Sequence, residues 1–129
     1  MIYTSYFAKI KELEKNNIVP ISICGKTPNW YKGLQYKKLG PKYDFFMKWK
    51  ETKDNEYYID CFNELVLNEL NPRDVIRNLE GIVPYGTSDI ALICYEKPEN
   101  FCHRHLVAEW FNSYGIACEE YDFNKEVEV

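Results

Sequence analysis

Residues 90–111 read IALICYEKPENFCHRHLVAEWF. The four apolar residues that open this stretch predict a buried strand, because a short apolar run bounded by polar residues is typical of a strand covered on both faces. After a polar loop, apolar residues recur with helical spacing at Leu106, Val107, Trp110 and Phe111. A buried strand followed by an amphipathic helix is the building unit of an α/β sheet. Ligands bind such sheets outside the carboxyl ends of the strands.

The rest of the chain adds elements of the same kind. Asn71 and Pro72 predict a helix start, and Gly115 predicts a helix end. Residues 83–87 are expected to form the loop that leads into the strand at 89–94. We therefore predict one α/β domain over residues 1–129, a small three-layer Rossmann-like fold with a mostly parallel sheet of about four strands and helices on both faces. The other strands are predicted over residues 2–7, 18–24 and 116–120, and the other helices over 8–14, 41–51, 56–70 and 72–80.

Composition narrows the class of protein. The chain has 129 residues and a net charge of −4, which argues against a general nucleic-acid coat. Neither a signal-peptide pattern nor an apolar run long enough to span a bilayer is evident, so we expect a cytoplasmic protein with no membrane partner. The five cysteines have no paired spacing, which is typical of free thiols in a reducing compartment.

Basic and aromatic residues are concentrated in residues 26–53. Between residues 25 and 54 there are eight lysines and three acidic residues. Positive charge interleaved with rings is typical of a surface that binds single-stranded nucleic acid, whereas a solvated loop surface explains the lysines equally well. The rings of this segment include Trp30, Tyr31, Tyr36, Tyr43 and Trp49.

Cys102 and both histidines of the chain are candidate reactive groups. Cys102 lies where the helix should begin, and unpaired backbone N–H groups there favour a thiolate, so a nucleophile and an inert buried thiol are both open. His103 shares the inward stripe of the helix and is either a general acid or base or a core histidine. His105 points away from that stripe and is expected at the surface, whereas Cys94, inside the strand, is expected in the core.

Arg104 is the candidate anion-binding residue. Its planar guanidinium at a helix N-terminus suits a phosphate or a carboxylate. An ion pair with Glu96 is the alternative interpretation. The two can coexist, because a carboxylate that orients an arginine or a histidine is a common supporting group.

The spacing of the metal-binding residue types does not indicate a metal site. No Cys-x2-Cys pair occurs, and the side chains of residues 102 and 103 would diverge on a regular helix. The sequence also lacks a Walker loop, a dinucleotide glycine fingerprint and a cysteine-phosphatase loop. We therefore expect no bound metal, and no motif names a cofactor. The residues weighed as ligands are Cys94, Cys102, His103 and Cys118.

Residues 92–98, 101–104 and 106–110 together resemble the signature of the domain of unknown function 488 (DUF488) family. That signature is an apolar strand ending in Cys-x-Glu, then a short loop, then Cys-His-Arg opening a helix. Ser22 and residues 28–30, 39–41 and 57–58 are similar to the shorter branch of the family. An Asp-x-Arg found after an early strand in longer members is replaced here by ISICGK at residues 21–26. The resemblance implies a compact α/β fold with an active or binding site around the two cysteine motifs.

These observations lead to three hypotheses of function. In the first, the protein binds a small anionic ligand, such as a nucleotide or nucleobase-type metabolite, at the strand ends near Cys24 and Cys94. It would then act on this ligand as a metal-independent transferase or hydrolase. Glu96, Cys102, His103 and Arg104 would then be catalytic, and ligand contacts would come from Arg104, Ser22, Trp30, Tyr31 and Tyr36. The second is a non-catalytic module that captures such a ligand or regulates a partner. The third is nucleic-acid binding through residues 26–53.

Overall fold

A computed structural model describes residues 1–84 and 89–124. The predicted loop at 83–87 therefore lies mostly outside the described residues. In chain order the elements are β1 (Ile2–Tyr6), α1 (Ile10–Lys15), β2 (Ile18–Ser22), β3 (Leu34–Gln35), α2 (Tyr43–Thr52), α3 (Asn55–Leu65), α4 (Pro72–Ile82), β4 (Asp89–Cys94), α5 (His103–Ser113) and β5 (Cys118–Glu120).

Capping residues set several of these boundaries. Asn71 accepts hydrogen bonds from the backbone N–H groups of Arg73 and Asp74, so the predicted start of α4 is confirmed. α4 runs on to Ile82 rather than ending before Gly81. Gly115 has φ +79°, the left-handed conformation that ends a helix, and follows α5 as predicted.

The five strands form one sheet in the order β3-β2-β4-β1-β5, and every pair is parallel. The α/β class and the Rossmann-like layering are thus confirmed. The sheet has five strands rather than about four, because β3, only two residues long, lies in a segment without periodicity.

Helices cover both faces of the sheet. On one face Phe7 and Leu13 pack with Ala91 and Ile93, so this face is covered by α1 and the turn before it. On the other face side chains of α3, α4 and α5 pack against Ile21 and Leu92. Since alternate residues of β4 enter the two cores, the strand is buried on both sides. Within residues 1–84 and 89–124, no helix has both the length and the apolar character needed to cross a membrane.

Candidate functional site

The candidate site lies where β1 and β4 end side by side. Tyr6 and Cys94, the last residues of these strands, are register partners in the parallel sheet. The chain leaves β1 for α1 on one face and leaves β4 for α5 on the other face. Connections that leave neighbouring strands toward opposite faces open a crevice between the strand ends, the usual ligand position in such sheets.

Arg104, in the first turn of α5, is completely buried at this position. Its Nε donates to Glu120 Oε1 at 2.9 Å and its Nη2 donates to Glu120 Oε2 at 3.1 Å. Its Nη1 lies 3.1 Å from Cys94 Sγ and 2.5 Å from the carbonyl oxygen of Glu96. The ring of Tyr6 lies 5.7 Å from the guanidinium carbon. This buried cation is therefore fixed by several contacts at the ends of three strands.

The carboxylate that pairs with Arg104 is Glu120, at the end of β5, and not Glu96. The Glu96 side chain is exposed, and only its backbone carbonyl contacts the guanidinium. Thr4 Oγ1 also donates to Glu120 Oε1, at 2.7 Å. The ion pair suggested from sequence is thus made with a different partner, because β5 lies beside β1 and ends at the same edge.

Cys94 and Cys102 form a disulfide. The expectation that all five thiols are free is therefore wrong for this pair, which is separated by only eight residues in sequence. Both residues are buried, Cys94 as expected from the strand pattern. Arg104 Nη1 is in contact with Cys94 Sγ, so a fixed positive charge lies directly beside the two sulfur atoms of the disulfide.

Cys102 and His103 converge, contrary to the divergence expected on a regular helix. Cys102 is the N-cap of α5, with extended backbone angles (φ −156°, ψ 143°), so it does not follow helical geometry. Its Sγ lies 3.9 Å from His103 Nδ1. Cys94, Cys102 and His103 each offer a ligand atom, and these atoms lie within 4.8 Å of one another.

His103 is buried against Phe62 on the sheet side of α5. Its Nε2 lies 2.8 Å from the carbonyl oxygen of Ile23, an atom that can only accept, so Nε2 carries the proton and Nδ1 is the free acceptor. Burial lowers the pKa of His103 to about 4, against an ordinary 6.5. At neutral pH the ring is uncharged and Nδ1 is available toward the sulfur atoms.

His105, two residues after His103 and therefore on the opposite side of α5, is half-buried rather than fully at the surface. Burial, assisted by the charge of Arg104, lowers its pKa. Its Nε2 has no hydrogen-bond partner among the residues that the structure describes.

The candidate ligand contacts are not brought together. Ser22 is buried, and its Oγ accepts from the Cys24 N–H. Tyr31 is buried on the α1 face and donates its hydroxyl hydrogen to the Leu34 carbonyl. Tyr36 is buried in the core on the opposite face, where its hydroxyl accepts from Asn78. Trp30 alone presents an exposed ring, with 63% of its surface accessible.

Four aromatic side chains cluster beside the ends of β1 and β4. The rings of Trp30, Tyr31 and Tyr95 each lie within 6 Å of the Phe7 ring. Tyr95 is half exposed and donates its hydroxyl hydrogen to the Lys26 carbonyl. Neither Phe7 nor Tyr95 is among the ligand contacts predicted from the sequence, although Phe7 ends the strand predicted over residues 2–7 and Tyr95 directly follows the strand predicted over residues 89–94.

The other three cysteines, Cys24, Cys61 and Cys118, are free thiols, and Cys24 packs in the same buried cluster as Cys94 and Cys102. Burial raises the pKa of Cys24 to about 11 and that of Cys118 to about 12, so both stay protonated at neutral pH. Cys61 is half-buried on α3. Two surface cavities, of about 480 and 570 Å³, lie near α4 and α2 and include no residue of 94–105 in their walls.

Comparison with known proteins locates the chain in a family. The model of the active DUF488-N3 subclade matches residues 6–115, which include the ends of β1 and β4 and all of α5. No curated protein and no solved structure gives a significant match. Since the match spans most of the chain and includes the Cys-x-Glu and Cys-His-Arg elements, the chain belongs to the DUF488 family.

Proposed function

We propose that the chain binds a small anionic ligand, of the nucleotide or nucleobase type, in the crevice between the ends of β1 and β4 and acts on it as a thiol-dependent transferase or hydrolase. The observation that carries this proposal is the contact of 3.1 Å between Arg104 Nη1 and Cys94 Sγ. A fixed cation beside a sulfur favours the thiolate, which is the nucleophilic form of cysteine. The description of the matching subclade as active also favours catalysis over simple capture.

The Arg104 guanidinium is well suited to stabilising the Cys94 thiolate, because Glu120 holds it through the nitrogens that do not contact the sulfur. Glu120 engages Nε and Nη2, which leaves Nη1 directed at Cys94. In the reduced protein the cation would therefore remain next to the sulfur without having to be ordered during the reaction. Glu120 acts here as a positioning residue.

The beginning of α5 supplies the attraction for an anion. The N-cap residue, Cys102, makes no side-chain capping hydrogen bond, and the first turn of α5 contains no acidic residue. The unpaired N–H groups and the positive end of the helix dipole favour a negative ligand group there. The exposed ring of Trp30 and the half-exposed ring of Tyr95 provide surfaces on which a base could stack.

The chemical step starts from the reduced protein. The Cys94 thiolate attacks the electrophilic centre of the substrate, a bond forms from Sγ to that centre, and the leaving group departs with the bonding electrons and takes a proton from solvent. Water or a second acceptor then attacks the same centre and loses a proton, and the Cys94 thiolate is regenerated. No metal ion takes part in these reaction steps. His103 Nδ1, 3.9 Å from Cys102 Sγ, would accept the proton of the Cys102 thiol.

A panel of phosphates, nucleotides and nucleosides tests the proposal by thermal shift and product analysis on reduced protein. We expect a stabilising ligand that is converted, loss of turnover in Cys94→Ser, and retained turnover in Cys102→Ser and in the control Cys61→Ser. Tight retention without conversion would instead support a capture module. Full turnover in Cys94→Ser, or no stabilisation by any member of the panel, would overturn the proposal.

Nucleic-acid binding through residues 26–53 is a second candidate, favoured by the exposure of Trp30 and Tyr43 among lysines. Other rings of the segment are already covered: the ammonium groups of Lys50 and Lys53 lie over Phe46 and Trp49. Binding of single-stranded DNA that weakens steeply with added salt and is lost in Trp30→Ala would support this candidate. Absence of binding at low salt would remove it.

A further inference from the structure

We propose that the reduced protein binds one thiophilic divalent metal ion, of the Zn²⁺ type, through Cys94 Sγ, Cys102 Sγ and His103 Nδ1. This inference goes beyond the proposed function and does not depend on it. The three ligand atoms come from the end of β4 and the start of α5, are buried, and lie within 4.8 Å of one another.

The hydrogen bonding of His103 has the pattern expected of a metal ligand. A histidine that binds metal through one ring nitrogen usually donates the other N–H to a carbonyl or carboxylate, which fixes the tautomer and the ring orientation. Here Nε2 donates to the Ile23 carbonyl at 2.8 Å, so the lone pair on Nδ1 is directed toward Cys102 Sγ. The imidazole is therefore already oriented as a ligand.

The distances also suit a shared ion. Zinc binds sulfur at about 2.3 Å and imidazole nitrogen at about 2.0 Å, which in tetrahedral geometry separates the two ligand atoms by roughly 3.5 Å. The separation from Cys102 Sγ to His103 Nδ1 is 3.9 Å. Once the disulfide is reduced, rotation of the two cysteine side chains would let the sulfur atoms move apart to the spacing of two ligands.

Charge balance favours a divalent ion in the reduced state. Two thiolates and the Glu120 carboxylate carry three negative charges, and Arg104, which contacts both Cys94 and Glu120, carries one positive charge. The difference of two negative charges, buried at the strand ends, is the charge that a divalent cation neutralises. Without a cation, at least one thiol would have to stay protonated.

Two consequences follow from the choice of ligands. The disulfide form has no thiolate, so it should not bind the ion. An ion on Cys94 would draw electron density from the thiolate that the proposed enzyme uses as its nucleophile, so Zn²⁺ would slow that reaction. Three protein ligands leave a fourth position for water or a ligand group.

The test is titration of the full chain with Co²⁺ and with Zn²⁺ in the absence of oxygen, after reduction with a phosphine and removal of the reductant. We expect one equivalent of Co²⁺ to bind and to give a thiolate-to-cobalt charge-transfer band that Zn²⁺ abolishes. Cys94→Ser, Cys102→Ser and His103→Ala should each weaken binding by about tenfold or more. Cys61→Ser and His105→Ala are the matched controls and should bind like the wild type.

Alkylation of the wild-type protein provides a readout that does not require the variants to fold. One equivalent of Zn²⁺ should protect Cys94 and Cys102 from iodoacetamide, as mapped by mass spectrometry, and leave the labelling of Cys61 unchanged. Equal Co²⁺ binding by the oxidised protein, binding without a charge-transfer band, or no protection of the two cysteines would overturn the proposal. Because no step measures turnover, failure here is distinguishable from failure of the proposed enzyme.

Discussion

Arg104 and Glu120 form a two-point salt bridge, with Nε 2.9 Å from Oε1 and Nη2 3.1 Å from Oε2. The arginine is fully buried, whereas the glutamate side chain keeps 24% of its surface exposed. Since Glu120 ends β5 and Arg104 lies in the first turn of α5, this pair links the edge strand beside β1 to the helix that follows β4. The cation that contacts Cys94 is thereby held by a residue 26 positions away from that cysteine in sequence.

Removing the carboxylate should destabilise the fold. In Glu120→Gln the buried guanidinium loses its counter-charge, and we expect the free energy of unfolding in urea to fall by about 2 kcal/mol, below the full cost of a buried pair because Glu120 is partly exposed. The control is Glu119→Gln, at an exposed neighbouring position on the same strand, which should change the free energy of unfolding little. Equal stability of the two variants would show that the salt bridge contributes nothing.

The cysteines should differ sharply in accessibility to a thiol reagent. Without reductant, Cys61 should be the thiol that reacts in the native protein, because Cys24 and Cys118 are buried and Cys94 and Cys102 are bonded to each other. Denaturation should raise the count of titrated thiols to three, and reduction before denaturation should raise it to five. A count of five in unreduced, denatured protein would mean that the disulfide is absent.

Stability should depend on pH through His103. In the unfolded chain its pKa is near 6.5, whereas burial lowers the pKa to about 4 in the folded protein. The unfolded state therefore binds the proton first, and stability should fall as the pH is lowered from about 6.5 to about 4, by about 3 kcal/mol in total. Above pH 7 this residue should cause no change.

His103→Gln retains an N–H donor for the Ile23 carbonyl but cannot become charged in this range. Urea unfolding at several pH values should therefore show a shallower loss of stability between pH 6.5 and 4 than in the wild type. His105→Gln, at a half-buried position, should reduce this pH-dependent loss of stability by a smaller amount. An unchanged slope in His103→Gln would contradict this account.

Arg104 should control the reactivity of Cys94 after reduction. In Arg104→Lys the positive charge is kept, but the planar contact with both Cys94 and Glu120 is lost. We expect the rate of Cys94 alkylation at neutral pH to drop and its pH midpoint to rise, because the thiolate is less stabilised. Arg77→Lys, at an exposed position on α4, serves as the control. An identical pH profile in Arg104→Lys and wild type would exclude this influence.

Much of the fold could be predicted from local patterns. The apolar run in β4, the Asn71 and Pro72 helix start and Gly115 after α5 each depend on a few neighbouring residues, so the sequence predicts them directly. β3 was not predicted, because two residues are too few to show a period. The Cys-x-Glu and Cys-His-Arg elements, which carry the resemblance to the family, are likewise short and local in the chain.

The sequence by itself determined the α/β class, the family and the segment that holds the cysteines, the histidines and Arg104, because all of these are local in the chain. Only the tertiary structure decided the partners: Glu120 rather than Glu96 for Arg104, Ile23 for His103, and Cys102 for Cys94. The strand order brings β5 beside β1, and the extended N-cap turns Cys102 toward His103. Pairings of this kind are set by the packing of distant segments, which local spacing does not encode.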